Sequence, residues 1–191
     1  MSPAPTLHTA RLALGALSEQ DLPALIALAG AFEIADTTAT IPHPYSEDDA
    51  RIFLALDAAE SAAGDAVRFA VRLEGEGLIG VVGLQQIARD RLRAELGYWI
   101  GVPWWGKGYA TEAARAVVRY GFDELGLHKI HAHYLTRNPA SGKVLERVGM
   151  RREGMLREEV RKWGRFEDVI LCGILRSDPR PSSAPRNRPS R

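Results

Sequence analysis

The chain has 191 residues and a formal net charge of +1, with 25 lysines and arginines against 24 aspartates and glutamates. Hydrophobic residues make up 46% of the sequence and charged residues 26%, the balance of a globular domain large enough to bury a core. The near-zero charge argues against nucleic acid as the main ligand, and no apolar run is long enough to cross a membrane.

The first half of the sequence predicts one strand and two helices, followed by a pair of hairpin strands. Residues 1–5 lack a basic segment followed by an apolar one, so we expect no secretory signal peptide. Ser18 and Ser46 each precede acidic residues and an apolar helical pattern, which predicts a capped helix start at both positions. The predicted strands lie at 9–14, 67–73 and 78–84, the last two joined by a turn at 74–77. Residues 31–45 contain two prolines and are predicted to form a loop or a broken helix.

The centre of the sequence is a strand, a glycine turn and a long amphipathic helix in direct succession. Residues 93–100 predict the strand, and 109–125 the helix. A helix start leaves several backbone N–H groups without helical partners, and its dipole favours negative charge. Gly106 and Gly108 allow the backbone to approach a phosphate closely and to adopt a positive φ. The stretch therefore predicts a phosphate-binding site.

Two common nucleotide-binding motifs do not match this stretch. A P-loop needs four residues between its glycines and then Lys-Ser/Thr, and the dinucleotide fingerprint needs a third glycine where Thr111 stands. An ordinary glycine turn before a helix would explain Gly106 and Gly108, but not the ordered motifs around them.

The last third of the chain predicts a strand at 129–136, a helix at 140–148 and strands at 155–162 and 167–175, which complete an α+β domain. Cys172, the only cysteine, lies in the last strand and is predicted to be a buried thiol rather than a nucleophile. A single cysteine excludes an internal disulfide and is compatible with a reducing cytoplasm. Residues 177–191 are rich in Pro, Ser and Arg and are expected to be a disordered tail.

The segment Trp105-Gly106-Lys107-Gly108-Tyr109-Ala110 resembles the coenzyme A loop of the GNAT acetyltransferases, Gln/Arg-Gly-x-Gly-x-Gly/Ala, with Trp105 at the first position. Tyr98-Trp99, Asn138-x-x-Ser141 and a closing Glu-Gly pair recur in the branch similar to the Rim-type ribosomal-protein N-terminal acetyltransferases. This resemblance covers residues 8–176. It implies one GNAT domain over residues 1–176, with a mostly antiparallel mixed sheet flanked by helices in the order βααβββαβαββ.

The resemblance also implies an enzyme that moves an acetyl group from acetyl-CoA directly to a primary amine, with no metal and no covalent intermediate. Residues 31–45 would either wall the acceptor site or serve as a plain connector. The residues expected to hold acetyl-CoA are the main chain of Trp99 and Ile100, the loop Trp105, Gly106, Lys107, Gly108, Tyr109 and Ala110, and the side chains of Asn138 and Ser141.

The resemblance implies two catalytic side chains, each with an alternative from the residues themselves. Glu95 is expected to accept the proton of the amine, directly or through water, but the same residue could be a surface carboxylate paired with Arg91 or Arg93. Ser141 is expected to protonate the departing thiolate, a task that Tyr134 or a water could also perform. Glu158 and Glu159 are reserve bases. Asn138 is also predicted to cap the helix that Pro139 begins.

Three histidines lie close together in the strand after the glycine-loop helix. His131 and His133 would share one face of that strand, but no cysteine or acidic residue accompanies His128, His131 and His133 at ligand spacing. We therefore expect packing or hydrogen-bonding roles and no metal site. Trp104 and Trp105 are expected to wall the cofactor loop and the acceptor cleft, because the flanking sequence is not basic enough for base stacking.

The favoured acceptor is the α-amine of a protein or peptide N-terminus, acetylated in the cytoplasm, and a homodimer is expected by analogy with the family. Two other functions stay open from the sequence. One is acetylation of a small amine, such as a polyamine or an antibiotic. The other is a non-catalytic module that only binds coenzyme A.

Overall fold

The computed structural model describes residues 5–90 and 92–180. Its centre is an eight-stranded mixed sheet in the order β1-β2-β3-β4-β5-β6-β8-β7. The strands are β1 Leu7–His8, β2 Leu12–Gly15, β3 Val67–Leu73, β4 Gly77–Ala88, β5 Arg93–Ile100, β6 Lys129–Leu135, β7 Arg151–Lys162 and β8 Arg165–Leu175. The α-helices are α1 Leu22–Ala29, α2 Phe32–Thr37, α3 Glu47–Ala63, α4 Tyr109–Asp123 and α5 Pro139–Val148. The α+β class predicted from the sequence is confirmed.

The element order differs from the predicted one in two places. A two-residue strand, β1, precedes β2, and a short helix, α2, occupies part of residues 31–45. Ile34 and Ala35 bury one side of α2. The helix ends where the hydroxyl of Thr38 donates to the carbonyl of Ile34 at 2.8 Å, a local bond that competes with further helical turns. Residues 38–46 then run as an irregular segment to α3.

The sheet has a hydrophobic core on each face. The larger core lies against α4 and α5 and includes Phe69, Phe122 and Ile130, all fully buried. The smaller core lies under α1 and α3 and includes Leu25, Ala50 and Leu54, with Trp99 packed against it. None of the helices in the described part of the chain is long and apolar enough to span a membrane.

The sheet separates between β5 and β6. These two neighbours run parallel, and they pair at only three positions, the last of which joins Glu95 to His131. Beyond that point β5 continues to Ile100 along β4, and β6 continues to Leu135 along β8. The two strands therefore open a gap in the middle of the sheet.

Residues 177–180, the described part of the predicted tail, contact the domain. Asp178 accepts the N–H of Leu175 at 2.9 Å, and Arg180 pairs with Asp123 at 3.1 Å. The remainder of the predicted tail lies outside the described residues, so the domain boundary at residue 176 stays a prediction.

Candidate active site

A cleft of about 900 Å³ passes through the gap between β5 and β6. The two faces of the sheet supply different chemistry to it. From the α4 and α5 face come the glycine loop, Tyr98 and Ser141. From the α1 and α3 face come Glu95, His133 and the apolar residues of α3 and of the segment before it. A molecule in this cleft would touch both sets of side chains.

The edge of β5 turns main-chain groups toward the cleft. Trp99 pairs with Val81 on β4, and the N–H of Gly101 donates to Ile79 of the same strand at 2.8 Å. Because backbone groups alternate in direction along an antiparallel strand, the main chain of Trp99 also faces β4. The main chain of Tyr98, one residue earlier, points the other way, into the gap.

The same alternation directs the main chain of Ile100 into the gap. Its carbonyl accepts the indole N–H of Trp105, so the side chain of Trp105 fixes the end of the strand to the start of the loop. The N–H of Ile100 faces the cleft. Sequence reasoning did not find this role for Trp105, since the tryptophan replaces the usual first residue of the motif.

The glycine loop has the geometry that phosphate binding requires. Gly106 and Gly108 have φ of +74° and +84°, values that only glycine adopts readily. Gly108 is the N-cap of α4, whose first helical bond runs from the N–H of Glu112 to the carbonyl of Gly108 at 3.1 Å. The N–H groups of residues 109–111 therefore have no helical acceptor and point out of the start of α4.

Arg11, on the turn before β2, fastens this loop to the sheet. Its guanidinium lies 2.6 Å from the carboxylate of Glu112, donates to the carbonyl of Lys107 at 3.1 Å and lies 4.3 Å over the ring of Tyr109. The positive charge of Arg11 thereby offsets the negative charge of Glu112 in the first turn of α4. Burial would raise the pKa of Glu112, but hydrogen bonds from Thr9 and Arg11 lower it overall. Sequence reasoning missed Arg11, because its contact with the loop is made only in the folded chain.

Asn138 performs the capping role predicted for it. Its Oδ1 accepts the N–H of Ser141 at 3.1 Å, and Pro139 is in the first turn of α5. Its Nδ2 donates to the carbonyl of Thr37 at 3.1 Å. Asn138 therefore links the start of α5 to the end of α2, and it also lines the cleft.

Ser141 and Tyr98 form a pair of hydroxyl groups on the α5 side of the cleft. Their oxygen atoms are 2.8 Å apart, and either can be the donor. Burial raises the pKa of Tyr98, against the opposing effect of its hydrogen bond to Ser141. The hydroxyl of Tyr98 therefore keeps its proton at neutral pH. Tyr98 was recognised in the sequence only as part of a motif, and its partnership with Ser141 depends on how α5 packs over the gap.

Glu95 is buried, with 7% of its surface exposed, and its Oε1 lies 2.8 Å from Nδ1 of His133. Burial alone would raise the pKa of this carboxyl, but the hydrogen bond and charge of His133 and the charge of His131 lower it. The same bond raises the pKa of His133 against the effect of burial. The interpretation of Glu95 as a surface carboxylate paired with an arginine does not fit this position.

The remaining candidates lie outside the lining of the cleft. The main-chain N–H of Glu158, which has a φ of +54°, donates to the carboxylate of Asp168 at 2.8 Å. Neither Glu158 nor Glu159 lines the cleft. Glu159 acts on His133 only through its charge. Lys107 lies at the loop but outside the cleft lining. Cys172 is buried and has a free thiol. Within residues 5–90 and 92–180, no three His, Cys, Asp or Glu side chains are placed to share a metal ion.

This combination of a split sheet, a glycine-bounded helix start and hydrogen-bonded polar pairs on both faces is the arrangement expected of an enzyme that transfers an acyl group from a coenzyme A thioester. Comparison with known families agrees with it. Residues 11–151 match the model of the acetyltransferase (GNAT) domain, and the chain belongs to that family. Its membership makes it an N-acetyltransferase, and acetyl-CoA is the acyl donor of such enzymes.

Two of the relatives are named for different kinds of acceptor amine. YoaA, an N-acetyltransferase of Bacillus subtilis, is 32% identical over 90% of this chain and 97% of its own length. The ribosomal protein uS5 alanine N-acetyltransferase of Escherichia coli is 34% identical over 53% of each chain. The crystal structure of spermidine N-acetyltransferase from Vibrio cholerae, in complex with CoA and spermine, is 31% identical, with a TM-score of 0.78 over 89% of this chain and 98% of that one.

Proposed function

We propose that this enzyme transfers the acetyl group of acetyl-CoA to the α-amine at the N-terminus of a protein or peptide. The observation that carries the proposal is the gap between β5 and β6. It has the Tyr98–Ser141 hydroxyl pair on one face of the sheet and the Glu95–His133 pair on the other. A donor that enters from the loop side and an acceptor that enters from the α3 side would meet there.

The loop residues fit the donor. The helix start at Gly108 presents N–H groups and a favourable dipole to a pyrophosphate, and a Cβ at Gly106 or Gly108 would force strained backbone at positive φ. In this proposal Trp105, Gly106, Lys107, Gly108, Tyr109 and Ala110 form the pyrophosphate loop. Tyr98 and Ile100, rather than Trp99, present their main chain to the pantetheine arm, and Asn138 lies alongside it.

Bound acetyl-CoA supplies an acyl group activated as a thioester. The N–H of Ile100 is aimed at the gap and would donate to the thioester oxygen, where negative charge develops. Ser141, with Tyr98 behind it, would donate a proton to the departing sulfur. The bonds that change are the C–S bond, which breaks, and a new C–N bond to the amine, with one proton leaving nitrogen and one reaching sulfur.

On the acceptor side, His133 would take the proton of the amine, and Glu95 would orient the imidazole and stabilise its charged form. A carboxylate with a lowered pKa is a weak base by itself, whereas a histidine with a raised pKa is better matched to an amine. An α-amine titrates near about 7.7–8.0 and a lysine side chain near about 10.4. Far more of the α-amine is neutral at pH 7, which favours it as the acceptor.

A polyamine is the second candidate, and the similarity to the spermidine N-acetyltransferase structure supports it. The cleft lining argues against it. A polyamine carries two or more charged nitrogens, and the only carboxylates among the described lining residues are Asp49 and Glu95. Glu95 is engaged by His133, and Asp49 accepts both the N–H and the hydroxyl of Ser46 at 2.8 and 2.6 Å.

The test is a thiol-release assay with N-terminal peptides, peptides with a blocked N-terminus and a free lysine, polyamines and aminoglycosides at equal concentration. We expect the N-terminal peptides to have the highest kcat/KM. If a polyamine or an aminoglycoside exceeds them by about tenfold, or about 1.4 kcal/mol, the small-amine function replaces this proposal. A cytoplasmic location and a homodimer belong to the same proposal; the single buried thiol of Cys172 supports the first.

A further inference from the structure

We infer that the acceptor site selects an N-terminal residue with an uncharged, apolar side chain of moderate size, which lies on a glycine floor formed by Gly83 and Gly97 beneath α3. This inference rests on the proposed function, since it specifies the first residue of the peptide whose α-amine is acetylated. Its residues could not be recognised in the sequence, because the floor and its walls come from four separate parts of the chain: β4, β5, the segment 38–46 and α3.

The floor is a flat area of sheet beside the reacting groups. Gly83 on β4 pairs directly with Gly97 on β5, and both line the cleft. Side chains alternate along a strand, so Gly97 shares its face with Glu95 two residues before it and Trp99 two residues after it. Gly97 therefore leaves a depression between the Glu95–His133 pair and the indole of Trp99, and Gly83 lies at its side, next to Val67 and Arg68.

The space above Gly97 is open. A Cβ at this position would meet only the side chain of Gln85, at 3.9 Å, an ordinary contact distance. Neither sterics nor a positive φ requires glycine there. Gly83 differs, because a Cβ there would lie 2.6 Å from the carbonyl of Val67. The absence of a side chain at Gly97 thus enlarges the cleft without being needed by the fold.

Gln85 and Asp49 line the cleft beside the floor, but Gln85 accepts from Arg68 at 3.4 Å and Asp49 accepts from Ser46 at 2.6 Å. The remaining walls of this depression are apolar. They are formed by Ile41, Tyr45, Ile52, Phe53 and Leu56, which line the cleft from α3 and the segment before it. Ile52 and Leu56 are 59% and 53% exposed, and they lie one helical turn apart on α3. Neighbouring exposed aliphatic side chains at the mouth of a cleft are typical of a binding surface.

The charged groups near the floor are already paired. Arg68, the one arginine beside Gly83, contacts Glu60 at 2.6 Å and Asp57 at 3.3 Å, both on α3. Glu95 is bonded to His133. A charged side chain on the acceptor would lose water here without gaining an unpaired partner among the described residues, which is unfavourable.

The wall is held in place from the opposite side of the cleft. Lys162, which is 7% exposed, donates to the carbonyls of Thr38 and Ile41 at 2.7 and 3.0 Å. Arg137 donates to the carbonyl of Asp36 at 2.6 Å. These bonds fix the segment that carries Ile41 and Tyr45, so the depression has a defined size, and preorganised pockets discriminate by shape.

The experiment compares peptides that differ only at residue 1, carrying Leu, Met, Phe, Gly, Asp or Lys, with thiol release and intact mass as readouts. We expect Leu or Met to exceed Asp and Lys by about tenfold or more in kcat/KM. Gly97→Leu should raise KM for the Leu peptide by about tenfold and leave the Kd of CoA within about twofold. Gly154→Leu, at a β7 glycine with no atom within 4 Å of a Cβ, is the matched control and should change neither.

Ile52→Asp provides a second test that does not depend on the floor, because residue 52 is largely exposed and its replacement should not disturb folding. It should lower kcat/KM for the Leu peptide and raise it for the Lys peptide. If all peptides are acetylated at equal rates, or if the Leu preference survives both Gly97→Leu and Ile52→Asp, the inference is wrong and the proposed function stands. If CoA binds but no peptide is acetylated, the proposed function itself fails.

Discussion

The carboxylate of Glu95 and Nδ1 of His133 are 2.8 Å apart, just beyond the point where β5 and β6 separate. The bond links Glu95, the last residue of β5 that pairs with β6, to His133, which lies two residues beyond the last paired position of β6. It also leaves the histidine at the cleft with a raised pKa and the glutamate buried behind it with a lowered one. The proposed proton acceptor and its orienting group are therefore one unit.

The first prediction concerns stability against pH. A raised histidine pKa contributes stability that is complete below 6.5 and is lost as pH rises through the folded value. A lowered glutamate pKa contributes stability that is complete above 4.5 and is lost as pH falls through the folded value. The decrease in Tm that Glu95→Gln causes should therefore be largest between pH 4.5 and pH 6.5 and smaller at neutral to basic pH. Thermal unfolding measured across this range checks it.

The control for this prediction is Glu153→Gln, which removes a carboxylate 2.6 Å from Lys129 and involves no histidine. Its effect on Tm should not decline between pH 6.5 and neutral pH. A Glu95→Gln effect that is equally constant there would show that the Glu95–His133 bond does not stabilise the charged imidazole.

The second prediction concerns the pH dependence of catalysis. If His133 accepts the proton and Glu95 raises its pKa, Glu95→Gln should move the acidic limb of the kcat/KM profile to lower pH, back toward 6.5. His133→Gln should lower kcat by about 10²–10⁴-fold at pH values above the acidic limb, and the loss should shrink below it, where the histidine of the wild type is already protonated. Two results would show that the pair takes no part in the mechanism: an acidic limb that Glu95→Gln does not move, or a decrease in kcat below roughly threefold in His133→Gln.

The third prediction separates the two hydroxyls on the donor side. Ser141→Ala should lower kcat with little change in the Kd of CoA, because the hydroxyl is proposed to act on the leaving sulfur. Tyr98→Phe removes its 2.8 Å partner and should lower kcat less. Since the two groups act together, the double variant should be no slower than Ser141→Ala within about twofold. Full additivity of the two losses would mean that they act separately.

The fourth prediction tests the glycine loop as the coenzyme site. Gly108→Trp should raise the Kd of CoA by more than about tenfold, because the indole would occupy the space in front of the start of α4. Gly75→Trp is the matched control, since Gly75 also has a positive φ, +78°, with no atom within 4 Å of a Cβ. Calorimetry on both variants measures the Kd. Equal affinities in two folded variants would place the coenzyme elsewhere.

The fifth prediction concerns the wall of the acceptor side. Lys162→Met should destabilise the protein by roughly 1–3 kcal/mol, because the carbonyls of Thr38 and Ile41 lose their buried donor. It should also raise KM for the acceptor more than it changes the Kd of CoA. Arg51→Met, at an exposed ion pair with Glu47, is the control and should destabilise the protein less than Lys162→Met does. A Lys162→Met variant with unchanged stability and KM would contradict this account of the wall.

The sequence predicted those features that depend on local chemistry. The Ser46 start of α3 is a capping box with Asp49, and the glycine positions of the loop follow from their backbone angles. Asn138 caps α5 as its position before Pro139 predicted. Each of these depends on residues within one turn of each other.

The features that the sequence did not predict depend on long-range placement. His133 was expected to have a packing or hydrogen-bonding role, but its partnership with Glu95 requires the parallel pairing of β5 with β6. Arg11 reaches the glycine loop only because β2 lies near α4. Lys162 lies in a strand rich in charged residues, and nothing in that pattern distinguishes it from its neighbours. It is buried because the tip of the β7–β8 hairpin packs over residues 38–41.

The central claim is direct acetyl transfer between the two faces of the gap. The most direct measurement is intact-mass analysis of a Leu-initiated peptide, with its lysines blocked, after incubation with isotope-labelled acetyl-CoA and the enzyme. The account predicts one labelled acetyl group on the α-amine, one free CoA released per acetyl transferred and no label on the enzyme. Tight CoA binding without any acetylated amine, or label retained on the enzyme itself, would contradict it.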